Sequence, residues 1–270
     1  MTTGVDAANV DEGFATRWAW WHAEREEKLR QPHGWLSLTG LHWLSEQPLE
    51  FAGVPGSWRV REGRAEVTAN AADGLVVHGH LLSGTGSVTV PDDEAATFAE
   101  FGDVAVEVIV RSGRYGIRLR DPRSPVRQGF TGVPTFAVSA DWVVDARLDR
   151  YPAPKTVRIE TAQPDLTGVE SAVGEVRFSL GGAQHSLVAF AADDGITVVF
   201  TDATSGTSTA AWRALWAEVA PGADTVRLDF NRTVNLPSAF SDYGTCPKPP
   251  AGNELSIAVE AGEKNPEPLG

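Results

Sequence analysis

The chain has 270 residues, 42% apolar and 22% charged, a composition that excludes disorder and suits one large β domain or two smaller ones. Its net charge of −13, from 36 acidic and 23 basic residues, argues against general affinity for nucleic acid and against docking on anionic membranes. A single cysteine excludes an intrachain disulfide and any multi-cysteine zinc site.

In chain order, the start MTTGVDAANVDEGF has neither the basic region nor the apolar core of a secretory signal. DEGFATRWAWWHAEREEKLR (11–30) reads as a helix. Asp11 is its expected N-cap, Glu12 lies in the first turn, and Phe14, Trp18, Trp21 and Arg25 follow helical spacing. The end is basic (Lys28, Arg30), and Pro32 stops it. Its tryptophans are expected to cover a sheet or close a barrel mouth. The next stretch, QPHGWLSLTGLHWLSEQPLEF, reads as short strands or turns packed against the helix.

From Ser57 to Asp121, alternating segments broken by Gly, Asn and Asp predict a strand meander. VAVEVIVRSGRYGIRLRD is the clearest hairpin, turning at Ser112-Gly113. Val104, Val106, Val108 and Val110 share one face of its first strand, and Ile117 and Leu119 one face of its second. DPRSPVRQGFTGVP (121–134) lacks periodicity and is rich in Pro and Gly, as a domain boundary or a structured crossing loop would be. Strands resume beyond it, from TFAVSADWVVDARLDRY through DTVRLDF to NELSIAVEA, most joined by short turns such as Gly181-Gly182.

The missing helices argue against a parallel α/β sheet. The expected fold is mainly β, an antiparallel sandwich or barrel-like architecture with one N-terminal helix. The expected division is a helix over 1–32 packing on the β body, a sandwich-like half over 33–121, a connecting loop over 122–134, and a barrel-like half over 135–270. No run of about twenty apolar residues is present to span a bilayer, and a cytoplasmic location is expected.

There is no P-loop, HExxH, strand-to-helix glycine fingerprint or GxSxG elbow. His78 and His80 are read on one side of a strand, where two imidazoles can chelate a metal, but no third ligand can be placed and no metal or cofactor is expected. His33 and His42 read as packing residues. Cys246 in GTCPKPP would be a nucleophile only if a base or helix N-terminus lowered its pKa, and no histidine is near it in sequence.

Arg213, in a strand-like run, needs a carboxylate if buried, with Asp202, Asp229, Glu260 and Glu263 as candidates. In NELSIAVEAGE, Leu255, Ile257 and Val259 share one face. Ser256, Ala258 and Glu260 share the other, which either lines a tight interior or forms an exposed edge. Asn231, Asn235 and Asn253 offer donors and acceptors, and asparagine also holds irregular loops together.

DFNR (229–232), N-x-P-x-AF from Asn235, TCP-x-PP from Thr245, N-x-L from Asn253 and AGE (261–263) together resemble the C-terminal signature of a bacterial and archaeal family, domain of unknown function 1684. GWLSLTGLHWL, RSGRYGIRLRD and FTDATSG with Arg213 downstream are similar to other parts of the family, so the resemblance runs from about Trp18 to Glu263. Relatives carry a cysteine where this chain has Ser238, near Cys246, which weighs against a role needing a cysteine pair. The resemblance implies a mainly β domain with an N-terminal helix and supplies no activity.

It also implies that Arg213, Asn231, Arg232, Asn235, Cys246, Asn253, Glu260 and Glu263 form one constellation. The leading expectation is a protein that binds a small anionic molecule in a β pocket through Arg213, Asp229, Asn231, Arg232, Asn235 and Asn253. One alternative is a metal-independent hydrolase or isomerase with Glu260 or Glu263 as acid/base and Arg213 as electrostatic stabiliser, Cys246 being a further catalytic candidate. The other is a structural or interaction module whose signature is a folding lock.

Overall fold

The computed structural model describes residues 7–266, with side chains described from residue 13. The readings of the first six residues and of the last four lie outside that range. Helix α1 (Ala7–Arg30) starts earlier than its sequence signals suggest, so Asp11 sits inside it rather than at its N-cap.

Ten strands follow: β1 (Leu38–Trp43), β2 (Leu49–Phe51), β3 (Val54–Arg61), β4 (Arg64–Ala69), β5 (Leu75–Val77), β6 (His80–Leu81), β7 (Gly84–Val88), β8 (Ala95–Phe101), β9 (Val104–Arg111) and β10 (Arg114–Arg120). They build a six-stranded sheet, β1-β10-β9-β8-β5-β6, and a four-stranded sheet, β2-β3-β4-β7. One core joins the two sheets, around the fully buried Trp58 with Val67, Val106, Val108 and Ile117. The valines expected on one face of β9 lie in this core, because a period of two sends alternate side chains to the same side. The β9–β10 turn has Ser112 at φ 51° and Gly113 at φ 73°, the paired positive angles of a tight hairpin.

A short helix, α2 (Pro125–Gln128), crosses to the C-terminal half. There β11 (Val143–Glu160), β12 (Thr167–Leu180), β13 (Ala183–Ala192), β14 (Gly195–Phe200), β15 (Arg213–Glu218), β16 (Thr225–Asp229) and β17 (Val234–Asn235) form one antiparallel sheet, in the order β16-β11-β12-β13-β14-β15-β17. This corrects the barrel expectation, since no ladder joins the two ends of the order. A 3₁₀ turn at Phe230–Arg232, capped by the Asp229 side chain, takes the chain off the ladder after β16. Sandwich-like closure comes instead from the tail. Leu255, Val259 and Ala261 pack into the same core as Phe178, Phe200 and Phe230. Each buried aromatic or aliphatic side chain there contributes about 1.5–3 kcal/mol.

NELSIAVEA does not form a strand. It runs as an irregular segment, with a single parallel bridge from Glu254 to Thr201. Its alternation nonetheless has physical content. Leu255 and Val259 face the core, while Ser256, Ala258 and Glu260 face solvent. Among the described residues no helix is long and apolar enough to cross a membrane.

Helix α1 is fixed to the β body by side chains from its inward face. Leu29 packs with Leu36, Val133 and Phe240. Trp18 donates its indole N–H to the Asn231 carbonyl at 2.7 Å. Arg25 donates to the Asn235 carbonyl at 2.8 Å and to Glu263 at 3.2 Å.

Candidate functional site

Arg213 opens β15 and is completely buried. Its Nη2 donates to Asp202 at 2.8 Å and to the Val259 carbonyl at 2.9 Å; its Nη1 donates to the carbonyls of Ala261 at 2.6 Å and Glu263 at 3.0 Å. Burial pulls the guanidinium pKa below its ordinary value, against the opposing pull of Asp202. The other Asp202 oxygen accepts from the backbone N–H groups of Thr204 and Val259. Of the four carboxylates suggested as partners, Asp202 holds Arg213, and the pair ties three tail carbonyls to the sheet.

Asn253 serves the backbone in a similar way. Its Oδ1 accepts from the Val188 N–H at 2.7 Å, and its Nδ2 donates to the carbonyls of Val188 at 3.0 Å and Val199 at 2.9 Å. One amide thereby bridges β13 and β14 beyond the part of their ladder that ends at Phe190 and Thr197. Asn231 donates to the Ser139 carbonyl and to Asp229, and accepts from the Ser139 N–H. Asn235 donates to the Lys264 carbonyl at 2.7 Å, and its own Oδ1 is buried without a partner.

Glu263 is buried and holds two donors, Arg25 and the Asn235 backbone N–H at 2.6 Å. The glycine before it is obligatory on steric grounds. Gly262 has φ 76°, and an added Cβ would collide with the Thr233 carbonyl oxygen and lie 3.0 Å from that of Phe230. Glu260, by contrast, is exposed and turned away from this network.

Arg232 behaves differently from Arg213. It sits in the 3₁₀ turn after β16, with its side chain 39% exposed. Its guanidinium lies over the Trp21 ring at 5.4 Å and pairs with Asp229 at 3.5 Å, while its Nε is buried without a hydrogen bond. Arg232, Asp229 and Trp21 line a cleft of about 1090 Å³ between α1, from Phe14 to Arg25, and the strands β11, β15 and β16. Aromatic wall is supplied by Trp21 and Phe14 from the helix and by Trp216, 49% exposed, from β15.

The structure therefore brings Asp229 and Arg232 to an open cleft, with Asn231 directly behind them. It does not bring Arg213, Asn235, Asn253 or Glu260 there. Sequence reasoning missed the other charged residues of the cleft: Arg17 and Arg25 on α1, Asp145 on β11, Glu218 on β15 and Arg227 on β16. The signal was present. Arg17 and Arg25 repeat at helical spacing with Phe14 and Trp21, and Arg227 and Asp229 share the outward phase of an alternating strand.

Cys246 is buried, and burial raises its thiol pKa. Its Sγ accepts from the Ser238 N–H at 3.4 Å, so Ser238 does lie against it. His78 is not on a strand with His80. It occupies the turn between β5 and β6, with φ 51°, and packs edge-on against Phe98. No cluster of three metal-ligating side chains occurs among the described residues. His33 bonds the Asp103 carbonyl, and His42 stacks on Phe51 with ring centroids 4.6 Å apart.

A second buried cluster was not foreseen. Arg118 and Arg120 on β10 share Glu107, flank the Trp35 ring, and reach the tail through a 2.7 Å bond from Arg118 to the Thr245 hydroxyl.

The family model described as "Protein of unknown function (DUF1684)" matches residues 128–264. An uncharacterised protein of Haloarcula marismortui, solved in solution by NMR, is 31% identical over 53% of this chain and 83% of its own, with a TM-score of 0.44. No curated protein matches.

Proposed function

The chain belongs to the DUF1684 family, and from that premise we propose that it binds a small anionic molecule in the cleft between α1 and the outer face of the C-terminal sheet. The observation that carries this reading is Arg232. It is a half-exposed guanidinium, backed by the Trp21 ring and held by one long ion pair, at the wall of a cleft of about 1090 Å³. Its fork retains donors for a carboxylate or phosphate. A cation held against a ring is also oriented before any ligand arrives, which lowers the ordering cost of binding.

A second reading has its own support. The Arg213–Asp202 pair and the Asn253 bridge are engaged with the protein's own backbone, as a folding lock requires. In the proposal the two readings divide the signature. Arg213, Asn253 and Glu263 lock the tail, and Asp229 and Arg232 face the ligand. The hydrolase or isomerase alternative is less well supported, because Glu263 already holds two donors and Glu260 is exposed. The division into a helix, a half over 33–121, a connecting loop and a half over 135–270 belongs to the same proposal. Its support is the separate cores of the two halves.

The test is calorimetric titration with 3-phenylpropanoate and phenyl phosphate. Binding of either, weakened at least 10-fold by Arg232→Ala with little change in melting temperature, is the expected result. Absence of binding by both, or binding indifferent to Arg232→Ala and Trp21→Ala, would overturn it.

A further inference from the structure

The charges that line the cleft carry a second message. Arg17, Arg227, Asp145 and Glu218 all face it and are exposed. Asp145 and Arg227 are direct cross-strand partners on β11 and β16. Opposite charges so placed ordinarily pair. Yet among the described residues none of these four side chains enters an ion pair or hydrogen bond. Asp229, the remaining acid in the wall, is committed to Arg232 and Asn231. Two cations and two anions with unpaired side chains therefore line one space, although the chain as a whole carries a net charge of −13. Among the described residues the ring of Trp216 beside them has no aromatic or cation–π partner, and it is 49% exposed.

We propose that the ligand of this cleft is a zwitterion with an aromatic side chain, a free α-amino acid or a short peptide. This rests on the anion-binding reading above and narrows it. The carboxylate is met by Arg232 with Arg227 or Arg17, the ammonium by Asp145 or Glu218, and the ring stacks on Trp216. A ligand carrying both signs satisfies both sets of side chains, whereas a simple anion leaves the two free acids facing it at a repulsive cost. The cleft's volume exceeds that of a single amino acid, so the peptide source shares the same chemistry.

The experiment compares L-phenylalanine and L-phenylalanyl-L-phenylalanine with 3-phenylpropanoate and 2-phenylethylamine by calorimetry on the full chain. At least one zwitterion is expected to bind 10-fold or more tightly than either single-charge probe, and the tighter of the two identifies the source. Asp145→Asn with Glu218→Gln is expected to remove that advantage while leaving 3-phenylpropanoate unchanged or tighter. If 3-phenylpropanoate binds as tightly as both zwitterions, the zwitterion inference is overturned and the anion reading stands. If no probe binds, both fall.

Discussion

Arg213 and Asp202 meet at 2.8 Å with both side chains withdrawn from water, 0% and 1% exposed, and each holds further backbone groups of the tail. Breaking a buried pair of this kind leaves the surviving charge without solvent or partner. Arg213→Met is therefore expected to cost about 3–5 kcal/mol of folding stability, read by denaturant unfolding. A loss below about 1 kcal/mol would remove the lock from the account.

Asn253 makes three bonds to strand backbone through one amide. Asn253→Asp keeps the shape but turns a carboxylate toward the carbonyls of Val188 and Val199. It is expected to lose on the order of 3 kcal/mol at neutral pH and to recover part of that at acid pH, where a protonated carboxyl can donate. A variant as stable as the parent at pH 7 would show that the bridge carries no weight.

Cys246 keeps its proton in the folded state because burial raises its pKa. The unfolded chain releases that proton near the ordinary thiol value of 9.0, where the native state still holds it. Stability is thus unaffected below that value and lost as pH rises through it. Cys246→Ala should flatten this alkaline loss. In the native protein the thiol should resist maleimide at pH 8 and react once unfolded; rapid native labelling would contradict the burial argument.

His42 has the opposite sign. Its ring is stacked on Phe51 with Nε2 buried and unpartnered, and burial lowers its pKa from 6.5. Below 6.5 the unfolded chain takes up a proton that the native ring refuses, so stability falls as pH falls through that value. His42→Phe should reduce the acid slope of the melting temperature, and an unchanged slope would assign the effect to other groups.

Gly262→Ala forces a Cβ into the Thr233 carbonyl at a positive φ. The combined clash and strain are expected to cost on the order of 3 kcal/mol or more, with a matching drop in the thermal midpoint. Ala261→Gly, next to it, lacks the clash and should cost less.

Much of the fold is legible in the sequence. The β9–β10 hairpin followed from alternation and a Ser-Gly turn, and the inward face of α1 from the spacing of Phe14, Trp18, Trp21 and Arg25. The barrel was not legible correctly, because closure depends on whether the two end strands, β16 and β17, pair, which no local pattern encodes. Cleft residues were missed for a related reason. Arg17 and Arg25 look like ordinary solvated helix residues until Arg227 and Arg232 arrive beside them from more than 200 positions away.

The sequence by itself determined the periodicities, the turns and the identity of the tail signature, since these depend on neighbours a few residues apart. Tertiary structure alone decided which arginine is a lock and which faces a cleft. Arg213 and Arg232 are the same side chain in similar company along the chain. Their difference lies in what lands around them: three tail carbonyls and Asp202 enclose one, while the tryptophan of a distant helix leaves the other half open to water.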